Sequence, residues 1–104
     1  MSQSTSTLQG FQRRHLRKLA HSLKPIVWIG EAGVSPSVET ALARALEDHE
    51  LVKVKLQGAE KKKEVANELA RCSGAELCGL VGHTAILFLP HPDDPQIEIP
   101  TRED

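Results

Sequence analysis

The chain has 104 residues, 39% of them hydrophobic, which suits one compact domain and leaves no room for a second. Its aromatic residues are only Phe11, Trp28 and Phe88, which argues against a surface built from a row of exposed rings. The formal charge of -1 is strongly segregated: residues 1–30 carry five Lys or Arg and no acid, 31–50 five acids against Arg44, 51–63 five Lys against Glu60, and 90–104 five acids against Arg102.

Residues 1–6 read as a disordered polar lead. A helix is expected from about Thr7 to Ser22, with Leu8, Phe11, Leu16, Leu19 and Leu23 on one arc. Arg13, Arg14, Arg17, Lys18, His21 and Lys24 fall on the opposite arc. Lys24-Pro25 ends the helix, because the residue before proline is pushed out of the α region. Ile26-Val27-Trp28-Ile29 is nearly all apolar and predicts a short buried strand. Gly30-Glu31-Ala32-Gly33 is a tight loop. Ser35 then stands as an N-cap with Pro36 at the first helical position, and the helix runs to about Glu47. Its buried face is expected to hold Val38, Ala41, Leu42, Ala45 and Leu46.

Leu51 to Leu56 alternates, with Val52, Val54 and Leu56 on one side and Leu51, Lys53 and Lys55 on the other, the pattern of a half-buried strand. A third helix fits about Glu60 to Cys72, burying Val65, Ala66 and Leu69 and stopping near Gly74. Ala75 to Val81 and Thr84 to Leu89 read as strands joined by a two-residue turn at Gly82-His83. Residues 90–104 interleave Pro90, Pro92, Pro95 and Pro100 with acids, and an extended or disordered tail is expected. The order α-β-α-β-α-β-β predicts an α/β fold, a two-layer sandwich with the helices on one face of a mixed sheet. Val27, Ile29, Leu42, Leu46, Val52, Val54, Leu69 and Leu87 should be core.

The motif with the most chemistry is strand–Gly30-x-x-Gly33–helix. Two glycines let the backbone turn sharply and approach a partner closely, and the helix N-terminus that follows presents N–H groups and a positive dipole end that suit a phosphate. An ordinary strand-to-helix turn would look the same, so the motif alone is weak. One of the two glycines is expected at positive φ, in an exposed loop. The acid-free basic arc of the first helix is a candidate phosphate track or a solvated face. Lys53 and Lys55 share a strand face. Lys61-Lys62-Lys63 opens a helix, where the dipole disfavours cations.

Other groupings carry less. Cys72, Cys78, His83 and His91 match no compact zinc spacing, and both cysteines read as buried free thiols, so no metal or cofactor is expected. Asp48-His49-Glu50 sits at a helix–strand junction, where turn and capping roles account for it. No catalytic constellation is visible, and an enzyme is not expected. No apolar run nears the roughly 18–20 residues that span a bilayer. No secretory leader is visible, and two cysteines make no disulfide framework, so a cytoplasmic setting is expected.

Taken together, Leu16-Arg17-Lys18-Leu19-Ala20-His21-Ser22-Leu23-Lys24-Pro25, Ile29-Gly30-x-x-Gly33, Ala45 through Lys55, Ser73-Gly74-Ala75 and Val81-Gly82-His83-Thr84 resemble the CRM domain, also called the CRS1–YhbY domain. The resemblance covers about Leu8 to Pro90, and a lone copy resembles the single-domain bacterial branch. It implies a domain at 7–90, followed by an acidic Pro-rich tail at 91–104. It also implies a fold similar to the C-terminal domain of bacterial translation initiation factor 3. The function implied is RNA binding with the GxxG loop at the interface, and for bacterial members an association with precursors of the large ribosomal subunit.

On that resemblance the RNA-binding residues are Gly30, Glu31, Ala32, Gly33, Arg13, Arg14, Arg17, Lys18, His21, Lys24, Lys53 and Lys55. Two positions depart from the family's pattern: Glu31 puts an acid in the loop, and Leu89 stands where relatives usually carry Arg. Both take positive charge from the expected phosphate path, and the acidic tail is expected to compete for the basic face. The expected partner is RNA, ribosomal RNA above all, bound by a monomer. The alternative is a protein-interaction module of the same fold with weak or lost RNA affinity.

Overall fold

The computed structural model describes residues 8–30, 33–57 and 61–100. The expected polar lead at 1–6, Glu31, Ala32 and the last four residues lie outside these. Among the described residues the order is α1 (Gly10–Ala20), β1 (Val27–Ile29), α2 (Pro36–His49), β2 (Leu51–Leu56), α3 (Lys62–Ser73), β3 (Glu76–Val81) and β4 (Thr84–Phe88). This is the expected α/β order. The sheet is mixed, in the order β1-β2-β4-β3, with β1 parallel to β2 and the other neighbours antiparallel.

Local chemistry sets the element ends. The Gln12 side chain accepts from the Gln9 N–H at 2.8 Å at the start of α1. Ser35 Oγ accepts from the Val38 N–H at 3.3 Å, and Pro36 follows it, as the sequence predicts for α2. Gly74 closes α3 at φ 77°, a conformation that costs glycine least. Gly82 opens the β3–β4 turn at φ 59°. Helix α2 runs past the expected Glu47 to His49. Its cap, Glu50, is the one non-glycine at positive φ among the described residues.

Two apolar layers hold the fold, one on each face of the sheet. On one face α2 and α3 bury Leu42, Ala45, Leu46, Ala66 and Leu69 against Val27, Ile29, Val52, Val54, Leu56, Ala85 and Leu87. All eight residues expected in the core are buried. On the other face α1 sets Leu16 and Ala20 against Leu51, Cys78, Ile86 and Phe88. The expectation that all helices share one face is therefore corrected. Leu51, Ile86 and Phe88 form an apolar half-face of their own, and burying it requires a helix there. Ala41, expected on the buried face of α2, is exposed.

The corrections to β1 and to the tail matter for the site. In β1 only Val27 and Ile29 are buried, and Trp28 is 55% exposed. Residues 90–100 form no helix or strand, yet they dock on the domain. The Glu50 carboxylate accepts from the backbone N–H groups of His91 (2.7 Å), Gln96 (3.0 Å) and Ile97 (3.0 Å). Ile97 and Ile99 pack with Leu8 on the α1 layer, and Gln12 Nε2 donates to the Pro100 carbonyl at 3.0 Å.

Candidate nucleic-acid interface

The topology gathers several loops at one end of the sheet. Because β1 and β2 are parallel, the Gly30–Gly33 loop leaves β1 at the end where β2 also finishes. Gln57 N–H donates to the Ile29 carbonyl at 2.8 Å there. The antiparallel β4 starts at this end, so the Gly82-His83 turn joins it, with the Leu56 N–H donating to the His83 carbonyl at 2.7 Å. Helices α2 and α3 both begin here. Lys61, Lys62 and Lys63 therefore stand at the loop end, with Lys61 and Lys63 exposed and Lys62 half-buried. Sequence reasoning left them out of the site, because their proximity to Gly30 depends on the parallel pairing of β1 with β2.

One of the two loop glycines is at positive φ, as expected. Gly33 has φ 80°, and its N–H donates to the Gly30 carbonyl at 3.1 Å, closing a tight turn. Gly30 is exposed, and a Cβ at either glycine would meet nothing within 4 Å. The space beside the two glycines is thus free.

The basic residues of α1 divide into two sets. Arg14, Lys18, His21 and Lys24 are exposed. Arg13 and Arg17 are tied to the backbone: Arg13 Nη1 donates to the Leu8 carbonyl at 2.7 Å and Arg17 Nη1 to the Cys78 carbonyl at 2.8 Å. The Arg17 bond closes a gap in the sheet. The β3–β4 register slips between Leu77 and Gly79, so Cys78 is a bulge residue, and Arg17 supplies a donor for its carbonyl. The stem of Arg17 crosses the bare face of Gly79, where a Cβ would lie 2.5 Å from its Cδ.

Lys53 and Lys55 point to the α1 face of the sheet, since Val52, Val54 and Leu56 fill the other. Lys53 Nζ donates to the Leu23 carbonyl at 3.0 Å and braces the connection from α1 to β1. Lys55, nearer the loop end, makes no hydrogen bond or ion pair with a described residue and is half-buried. It pairs in register with Trp28 on β1 and Thr84 on β4.

The expected departure at Leu89 falls elsewhere. Its N–H donates to the Glu50 carbonyl at 2.8 Å, and its side chain closes the core at the opposite end of β2. Its lack of charge therefore does not bear on the loop. The docked tail lies at that far end too, six strand residues or about 20 Å from the loop. On the α1 side Ile97 and Ile99 pack on the layer of Leu16 and Ala20, and Gln12 donates to Pro100.

Titration of the buried groups follows the same division. Burial pushes the Glu50 carboxyl up, but the N–H groups of His91, Ile97 and Gln96 and the nearby His91 charge outweigh it and hold it below the usual value. Burial, with the Glu76 charge added, pushes the Cys78 thiol up to about 12 against the opposing charges of Arg13 and Arg17. Cys72 is exposed rather than buried as expected, and its thiol is raised by local burial and by Glu39 and Glu68.

No group of three or more His, Cys, Asp or Glu among the described residues could hold a metal ion, and no helix among them is long and apolar enough to cross a membrane. A hollow of about 640 Å³ at the β3 edge, lined by Arg13, Asn67, Arg71 and Glu76, offers no nucleophile.

An α/β domain with a GxxG turn and a cationic loop end is the class of molecule these features define. Residues 8–88 match the CRS1 / YhbY (CRM) domain, and the chain belongs to that family. It is 40% identical over 95 residues to Probable RNA-binding protein YqeI of Bacillus subtilis, covering 89% of this chain and 99% of that one. It is 33% identical over 99 residues to a Haemophilus influenzae protein named RNA-binding protein, covering 93% of this chain and 99% of the relative. The solution structure of SAV1595 from Staphylococcus aureus, a proposed RNA-binding protein, superposes with a TM-score of 0.79 at 32% identity and covers 90% of this chain and all of that one. These family and relative names point to RNA-binding proteins rather than to enzymes.

Proposed function

We propose that this protein binds RNA through the loop end of its sheet, and that its RNA is ribosomal, in precursors of the large subunit. The observation that carries the reading is the convergence at one end of the molecule of the open Gly30–Gly33 turn, Lys61, Lys62, Lys63 and Lys55. Two helices begin there, so their positive dipole ends add to the same field. A phosphate chain meets cations and backbone N–H groups there, with Glu39 and Glu64 in the first turns of the two helices opposing them in part. The exposed Arg14, Lys18, His21 and Lys24 of α1 extend the track. The relatives' names support RNA as the partner class. The protein acts on this reading as a monomer in the cytoplasm, by shape and charge rather than by reading many bases.

Gly30→Asp tests the site. A side chain there meets open space and Gly30 is not at positive φ, so the fold should be kept while a negative charge enters the turn. Mobility shift with ribosomal RNA should show binding by the wild type and its loss in the variant. Sedimentation of the tagged protein with large-subunit precursors tests the finer claim. A tagged protein that stays at the top of the gradient while still shifting ribosomal RNA would remove the ribosomal assignment and leave RNA binding.

A further inference from the structure

The loop end also carries an indole that the core does not use. Trp28 sits between Val27 and Ile29, which are 5% and 1% exposed, and is itself 55% exposed. It points to the α1 face, but α1 covers only the half of that face built from Leu51, Ile86 and Phe88. The uncovered half presents a row across the sheet, in register: Trp28 on β1, Lys55 on β2, Thr84 on β4 and Val81 on β3. Trp28 and Val81, at its two ends, are 55% and 62% exposed. An edge strand of three residues leaves a large ring beside a lysine on the neighbouring strand, about 4.8 Å away.

We propose that Trp28 is a stacking subsite for one unpaired nucleobase, with Lys55 beside it for the adjoining phosphate. The proposal rests on the RNA-binding reading above and adds to it a preference for single-stranded segments. The occupant follows from charge and distance. Gly30 lies two residues beyond Trp28, about 7 Å along the strand, so a nucleotide whose phosphate rests at the turn can place a base over the ring. Lys55 pairs with Trp28 in register, and Lys61, Lys62 and Lys63 open α3 at the same end of the sheet. An apolar protein surface would have to desolvate those charges. A base has a π-face for the indole and a phosphate for the lysines, and duplexed bases cannot reach the ring.

The chain has one Trp and no Tyr, so its indole fluorescence reports on this site alone. The probes are a short single-stranded oligoadenylate, an abasic chain of equal length and phosphate count, and ribosomal RNA. Oligoadenylate should quench the indole, and the abasic chain should not. Trp28→Ala should weaken oligoadenylate binding by between about 5-fold and about 150-fold, the range that loss of one stacked base spans. It should leave the salt slope unchanged, because no phosphate contact is lost. Trp28→Phe, which keeps a smaller ring, should retain most of the affinity. Cooperative thermal unfolding of Trp28→Ala confirms that the fold is intact. The proposal is overturned if Trp28→Ala binds oligoadenylate as tightly as the wild type, or if the abasic chain quenches equally. If ribosomal RNA still binds in a Gly30-dependent way in that case, this inference alone has failed. A wild type that binds none of the three probes sinks the RNA-binding reading and this inference with it.

Discussion

Glu50 offers the sharpest test of how the tail is held. Its backbone lies at φ 64° and ψ -42°, a region that costs a non-glycine residue about 1–3 kcal/mol. The site persists because the carboxylate, 3% exposed, accepts from three tail N–H groups at 2.7 to 3.0 Å. Hydrogen bonds to a charged group contribute about 1.5–3 kcal/mol each when the partner cannot turn to water. The tail can open to water, so Glu50→Gln should not cost the sum. It removes the charge and turns one acceptor into a donor facing an N–H, and a loss of about 2–3 kcal/mol is expected. For a domain of this size that lowers Tm by about 10 °C or more. The carboxyl is held below its ordinary value of 4.5, so its contribution is full above that pH and drains away as pH falls through the lower native value. Urea unfolding of both proteins at neutral pH and in acid should show a gap that narrows on acidification. Amide exchange at His91, Gln96 and Ile97 should quicken in the variant. Equal stability at neutral pH, with those amides still protected, would refute the latch.

Gly79→Ala should cost about 1–3 kcal/mol by driving the Arg17 stem off the sheet. Arg17→Ala in the same chain should recover part of that loss, and strict additivity in the double-mutant cycle would rule out the contact. Exchanging Arg14 and Lys18 together for Ala should flatten the dependence of log K on log salt by roughly 1–1.5 units with little change in unfolding, and an unchanged slope would mark that face as merely solvated. At mildly alkaline pH a thiol-alkylating reagent should label Cys72 and spare Cys78 until the chain unfolds, and comparable rates at both would contradict the burial of Cys78.

Periodicity made the elements and the main core legible, because Val52, Val54 and Leu56 or Leu42, Ala45 and Leu46 announce their faces locally. It did not reveal the second layer, although a trace of it was present. The Leu51 side of β2 is apolar at one end and carries Lys53 and Lys55 at the other, which is what a helix covering half a face requires. In Val27-Trp28-Ile29 three apolar residues hide an alternation that only the layer boundary resolves. The basic arc of α1 could not show which arginines are spent on the backbone, since Arg17 finds its acceptor 61 residues away. Glu50 looked like a local turn residue for the same reason, its partners lying 41 to 47 residues on. Lys61, Lys62 and Lys63 joined the site only through topology.

The central claim is that RNA contacts the loop end, and amide and indole NMR shifts recorded while RNA is added locate the contact directly. The account predicts the largest changes at Gly30, Gly33, Lys61 to Lys63, Gly82, His83 and the Trp28 indole N–H, smaller ones along Arg14, Lys18 and His21, and none at Glu50 or Ile97. Changes concentrated on the docked tail or the exposed side of α2, with Gly30 and Gly33 unmoved, would contradict it.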